Sequence, residues 1–281
     1  MSVITRFNFS TTPSSVIWFL IFLNICCCCC CSHGNPDDSK QEGLMDLESV
    51  RKSLIRQEDS IVFCLIERAK FPFNSSLYKP SLQIPGFDGS LIQYILKETE
   101  ILEAKVGRYE SPEEHPFFPD GLPFPLIPSP PAKSPEFLHA AASSINMNRD
   151  IWKFYSDELL PLFAKEGDDG SYACTGVADI NCLQALSRRI HYGKFVAEVK
   201  FRDAPEKYGP AIHVEEMVKK RVQKKARIFG QEVNINKKAG DCKKQKNCKI
   251  DPSVVSRLYG EWVMPLTKLV EVEYLLRRLD E

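Results

Sequence analysis

The chain has 281 residues, 43% of them hydrophobic, with 37 basic side chains set against 37 acidic ones. Balanced charge supplies no global field for nucleic acid or an anionic membrane, so any electrostatic function has to be built locally. The apolar content suffices for one large core or two small ones.

Residues 1–43 differ in character from the rest of the chain. "MSVITRFNFSTTPSS" holds one arginine and no acid, and "VIWFLIFLNICCCCCC" comes next, before the chain turns polar at "SHGNPDDSKQEG". A basic start, a short apolar run and small residues at its end predict a secretory signal or short anchor. The run is shorter than the roughly 20 residues of a membrane span, so membrane contact is expected only if it is retained. The acid-free, Ser/Thr-rich opening also suits a plastid-type transit segment or a disordered extension. Cys26 to Cys31 form one run and make no disulfide framework. Cys64 and Cys182 fall within helical apolar patterns and are expected as small buried hydrophobes. Cys242 and Cys248 have no histidine beside them, so no metal site is expected. "NSS" at Asn74 is a glycosylation acceptor only in a secreted chain.

From Leu44 the apolar positions Leu47, Val50, Leu54, Ile61, Leu65 and Ala69 recur at three- and four-residue steps, predicting a long amphipathic helix that ends before Pro72. Residues 89–110 give a second helix. The stretch 111–137 contains nine prolines and cannot be regular, so it reads as an extended crossover. Phe117, Phe118, Phe124, Leu126 and Ile127 argue that this crossover packs against the domain. Helices are expected again over 146–165, 177–201, 213–230 and, as one or two pieces, 251–280. Alternating strand patterns are few and no hairpin turn accompanies them, so residues 44–281 are expected to form a single all-α, multi-helix domain. The lysines of "KKRVQKKAR" lie opposite an apolar stripe and read as a solvated face. With no aromatic residues interleaved, nucleic-acid binding is not expected.

"LSRRIHYGKFVAEVKF", residues 186–201, sets basic side chains into an apolar background, where a cation is costly unless an anion meets it. In one continuous helix Arg189 and Lys200 would point within about 20° of each other, roughly 16 Å apart along the axis. They would flank a shallow surface suited to a small anion with polar groups at both ends; an ordinary ion-pair network explains the same spacing equally well. Lys194 and Glu198 are expected to pair on the exposed face, and His191 to be structural. Arg51 borders the Val50/Leu54 stripe. Thr267 and Glu271, four residues apart, share a face beside Leu266, Val270 and Tyr274, as groups lining a polar pocket in a bundle would. No Ser/His/Asp or Cys/His pairing is evident, so positioning and electrostatics are the chemistry on offer.

"LIRQEDSIVFCLIERAKFPFN", "AKVGRYESPEEHPFFPD", "CLQALSRRIHYGKFVAEVKFRDAP", "VEEMVKKRVQKKA" and "GEWVMPLTKLVEVEYLLRRLD" resemble the eukaryotic all-helical chorismate mutases, most of all the plant cytosolic type, from about Leu44 to the C-terminus. The resemblance implies rearrangement of chorismate to prephenate, on the route to phenylalanine and tyrosine, with no cofactor, metal or covalent intermediate. Catalysis then rests on holding a dicarboxylate in its reactive shape and stabilising charge on the ether oxygen. It further implies that Arg51 and Arg189 clamp carboxylates, that Lys200 donates to the ether oxygen and that Glu271, when protonated, is the second donor. Thr267 would support a carboxylate, and Glu215 would accept from the substrate hydroxyl. A cytosolic homodimer is implied as well. Three departures stand out. A helical stretch usual in the family between "GPAI" and "VEEM" is missing, which questions the placement of Glu215. The effector-binding blocks of regulated members are replaced by "GSYACTGVAD" and Gly107-Arg108. Finally, the signal-like start is atypical of the cytosolic type.

Overall fold

A computed structural model describes residues 45–80, 84–127, 137–203, 212–231 and 248–279. The expectations for residues 1–43 and for Cys242 lie outside them. Helix α1 (Leu47–Arg68) starts where the Asp46 carboxylate accepts the Ser49 N–H at 2.8 Å while the Ser49 hydroxyl accepts the Asp46 N–H, a reciprocal cap that satisfies donors the helix leaves free. Its stripe of Val50, Ile61, Val62, Leu65 and Ile66 is buried and packs along α4 (Tyr172–His191). At its end Arg68 turns inward to Asp179 on α4 at 2.5 Å, and the same carboxylate accepts the hydroxyls of Tyr78 and Tyr155. A buried guanidinium is tolerable here because a carboxylate and three carbonyl oxygens surround it.

Asn74, left-handed at φ 51°, is fully buried, and its amide donates to Thr175 at 2.8 Å and to Asp169. A glycan has no room at that nitrogen whatever the compartment. Cys182 is buried and Cys64 packs against the core, as their apolar surroundings require.

Helix α2 (Leu91–Lys105) is shorter than its pattern: Gly107, at φ 84°, breaks it and a 3₁₀ turn, Arg108–Glu110, comes next. The crossover is tied down at its start by Glu100, whose two oxygens accept the Phe117 and Phe118 N–H groups at 2.7 and 2.8 Å. Both phenylalanines pack against the core. Phe124, Leu126 and Ile127 do not: they are 93%, 76% and 70% exposed. Extended backbone with closely spaced prolines has no single face to turn inward, so only the side chains beside the Glu100 anchor reach the core.

Helix α3 (Asn148–Phe154) passes into a π turn, Tyr155–Leu159. The long helix expected over 177–201 is two: α4 ends at His191 and α5 (Gly193–Asp203) begins after Tyr192. Glycine is where such bends concentrate. Helices α6 (Ile212–Phe229) and α7 (Pro252–Leu258) pair with each other, and a second π turn, Tyr259–Val263, leads into α8 (Met264–Leu279). Helix α8 lies against α4 and α5. Among the described residues there is no strand, only two isolated bridges, and the core is one continuous cluster drawn from α1 to α8. The domain is all-α.

Candidate active site

Helix α8 presents Thr267 and Glu271, one turn apart, to α4 and α5 across the bend at Tyr192. Arg189, 3% exposed near the end of α4, donates from Nη1 to the Thr267 hydroxyl at 3.3 Å and from Nη2 to the Met264 sulfur at 3.8 Å. The Thr267 hydroxyl itself donates to the Val263 carbonyl at 2.6 Å, so its oxygen is turned to accept from Arg189. Behind the guanidinium, 6.0 Å from its carbon, lies the ring of Tyr259. Arg189 Nε is buried without a partner, and no carboxylate among the described residues pairs with this cation. A thioether and one hydroxyl are weak compensation for a desolvated guanidinium, whose planar fork matches a carboxylate.

Further along, Lys200 on α5 reaches Glu271 on α8 at 2.8 Å; the two side chains are 33% and 19% exposed. Gly193 makes the close fit of α5 on α8 possible: a Cβ there would stand 2.7 Å from the Thr267 carbonyl oxygen. Glu215, on the first turn of α6, pairs at 3.0 Å with both Lys219 and Lys268, and these ammonium groups hold its carboxyl below the usual range. It thus touches α8 next to Thr267 and contacts neither Arg189 nor Lys200 directly. Arg51 is placed apart from the others, 62% exposed and 4.0 Å from Glu48. Of the six residues singled out, the fold therefore assembles Arg189, Thr267, Lys200 and Glu271 into one line, docks Glu215 beside it and leaves Arg51 at the surface.

Two residues read as an exposed pair, Lys194 and Glu198, are both buried and pair with other groups instead of each other. Lys194 is 1% exposed and donates to His115 Nε2 at 2.5 Å and to the Ala142 carbonyl at 3.0 Å; burial lowers its ammonium to about 8. Glu198 is fully buried and accepts from Tyr274, Arg202 and Arg278. The four-residue spacing that suggests a surface ion pair is the same on a buried face. His191 is structural: its Nε2 accepts the Met147 N–H at 2.8 Å, its Nδ1 lies 2.8 Å from the Ser187 carbonyl, and its ring stacks on His115. Arg188 pairs with Glu114. The residue behind Arg189, Tyr259, was not legible in the sequence; burial raises its hydroxyl, which has no hydrogen-bond partner. A separate cleft of about 260 Å³, lined by Phe73, Tyr78, Trp152 and Asp157 among others, shares no residue with this line. The described residues contain no cluster of three metal-ligating side chains.

An all-helical bundle that holds a desolvated guanidinium beside an ammonium–carboxylate pair offers an anion orientation and charge. Residues 173–272 match the family model for chorismate mutase type II. Chorismate mutase 2 of Arabidopsis thaliana is 58% identical over 84% of this chain and 94% of its own length, and the cytosolic chorismate mutase 2 of Zea mays is 53% identical over 84% and 97%. The crystal structure of the chloroplast chorismate mutase from Zea mays superposes with a TM-score of 0.73 at 47% identity, covering 86% of this chain and 98% of that one. The chain belongs to the eukaryotic chorismate mutase family.

Proposed function

We propose that the protein isomerises chorismate to prephenate at the Arg189–Thr267–Lys200–Glu271 line. The reaction is intramolecular: the ether C–O bond breaks as a new C–C bond forms, and no proton, electron pair or group is exchanged with the protein. What the protein has to supply is the reactive shape and a counter-charge for the ether oxygen. Arg189, supported by Thr267, takes a substrate carboxylate in its fork. The Lys200 ammonium donates to the ether oxygen as negative charge grows there, and Glu271, when protonated, donates beside it. Glu215 is the acceptor for the ring hydroxyl, and Arg51 reaches a carboxylate when its long, exposed side chain turns from Glu48 toward the line. The observation that carries this reading is the buried Arg189 fork with no carboxylate of the described residues against it.

The chain is read as a cytosolic homodimer. Val106, Phe124, Leu126 and Ile127, all more than 60% exposed, give a second copy an apolar surface to cover, and no described helix is long and apolar enough to cross a membrane. The purified chain is expected to convert chorismate to prephenate. Lys200→Ala should lower kcat by about 10²–10³, the usual cost of removing one transition-state donor, with the far-ultraviolet circular dichroism unchanged. The salt bridges that hold Glu215 to Lys219 and Lys268 support a second reading, a mutase-like binding protein with impaired turnover. Calorimetry with a transition-state analogue separates the two: tight binding without turnover favours the second, and turnover excludes it.

A further inference from the structure

Helices α5 and α8 lie side by side, from Gly193 beside Thr267 and Val270 to Glu198 beside Tyr274 and Arg278. Gly193 abuts Thr267 at the start. Lys200 meets Glu271. Around that pair, the buried Glu198 carboxylate accepts the Tyr274 hydroxyl at 2.6 Å and Arg278 Nε at 3.1 Å on one oxygen, and Arg202 Nε at 2.6 Å on the other. The Tyr274 oxygen also accepts the His139 N–H at 2.9 Å, and Arg202 donates to the Phe137 carbonyl at 2.7 Å. One carboxylate thereby joins α5, α8 and the end of the crossover.

Along the chain Glu198 and Arg202 flank Lys200 two residues to either side, and Tyr274 comes three residues after Glu271. The cluster is a poor device for stability alone, since desolvation offsets the attraction and packed apolar side chains would serve as well. What the two donors of α8, Tyr274 and Arg278, supply on one α5 carboxylate is a single register between the helices, where apolar contacts alone tolerate sliding, while Arg202 on α5 itself holds that carboxylate in place. Building on the function proposed above, we infer that Glu198 is a positioning residue for the rearrangement. It fixes the α5–α8 register that brings the Lys200 ammonium and the Glu271 carboxyl to the breaking C–O bond, without touching substrate itself.

The test is steady-state kinetics of the full chain with chorismate, comparing wild type with Glu198→Gln, Tyr274→Phe, Lys200→Ala and the doubles. Glu198→Gln should lower kcat about 10- to 100-fold, the scale of a misplaced catalytic group, while KM hardly moves; Tyr274→Phe should change both in the same sense but less. In the Lys200→Ala background Glu198→Gln should lower kcat by a clearly smaller factor than in the wild type, because part of its effect passes through Lys200 and only the part that passes through Glu271 is left. An equal fold-loss in both backgrounds, or a wild-type kcat in Glu198→Gln, overturns the positioning role. Should Glu198→Gln fail to fold, Tyr274→Phe carries the same cycle. A wild-type chain without mutase activity overturns the functional reading and this inference with it; an active wild type with additive losses overturns only the inference.

Discussion

Arg189 shows what a buried side chain costs when its partner is not part of the protein. The other deeply buried arginine and lysine among the described residues have firm acceptors: Arg68 has Asp179, and Lys194 has His115 and Ala142. Replacing Arg189 by methionine, of similar length and at ease against Met264, removes an uncompensated charge. The melting midpoint should therefore stay or rise while activity disappears, an opposition that differential scanning fluorimetry beside the kinetic assay would reveal. A marked fall in the midpoint would make Arg189 structural. His115 and His191 predict a pH effect of definite sign. Burial, with a smaller contribution from neighbouring cations, takes His115 to about 2; burial alone is the leading cause that takes His191 to about 3. Both lie below the ordinary 6.5, so as pH falls the unfolded chain binds protons that the fold refuses. The contribution of the two rings is full above about pH 6.5 and drops below it by about 1.4 kcal/mol per pH unit for each. His115→Asn should reduce the loss on going from pH 7 to 5, by about 2 kcal/mol in urea titrations. Residue types were legible in the sequence, partners only in part. Lys194 and Glu198 read as a surface pair because the groups that bury them, His115 and Tyr274, lie 79 and 76 residues away.

At the scale of elements, periodicity located every long helix but missed the bend at Tyr192, because the apolar pattern runs through it unchanged. The cause sits on another element: α8 comes so near that only a glycine fits at 193. Gly193→Ala tests which effect wins there. Alanine favours helix by about 1 kcal/mol, yet its Cβ would meet the Thr267 backbone oxygen at 2.7 Å and Val270 Cγ1 at 3.2 Å, neither free to move. The variant should lose roughly 1–3 kcal/mol together with activity, as α5 is levered off α8. Gly260→Ala is the control: its nearest neighbour is the flexible end of Lys219, so chemical denaturation should find it neutral or slightly stabilised. Helix α1 teaches the converse. Its apolar stripe predicted its burial correctly. The exposed position of Arg51 could not be read from the stripe it borders: Val50 next to it is fully buried, while the Arg51 side chain lies outside beside Glu48.

For the molecule as a whole, the all-α architecture follows from composition and period, and the line of site residues follows from two helices whose spacing could be read in advance. What could not be read is the phase between them, and that phase is set in the π turn Tyr259–Val263. An i→i+5 turn holds one residue more than an i→i+4 turn, so this turn stores one spare residue of chain length immediately ahead of Thr267 and Glu271. Sequence change here should be tolerated in an uneven way. Deleting the exposed Glu261 lets the turn relax to an ordinary α turn and keeps everything after it in phase. Deleting Lys268, only seven positions on and equally exposed, has no spare residue to draw on and swings Glu271 and Tyr274 by about 100° around the axis. The first deletion should leave a folded chain with measurable mutase activity, the second a helical chain with none, and the assay of both would place insertions and deletions across the family on one side or the other of that turn.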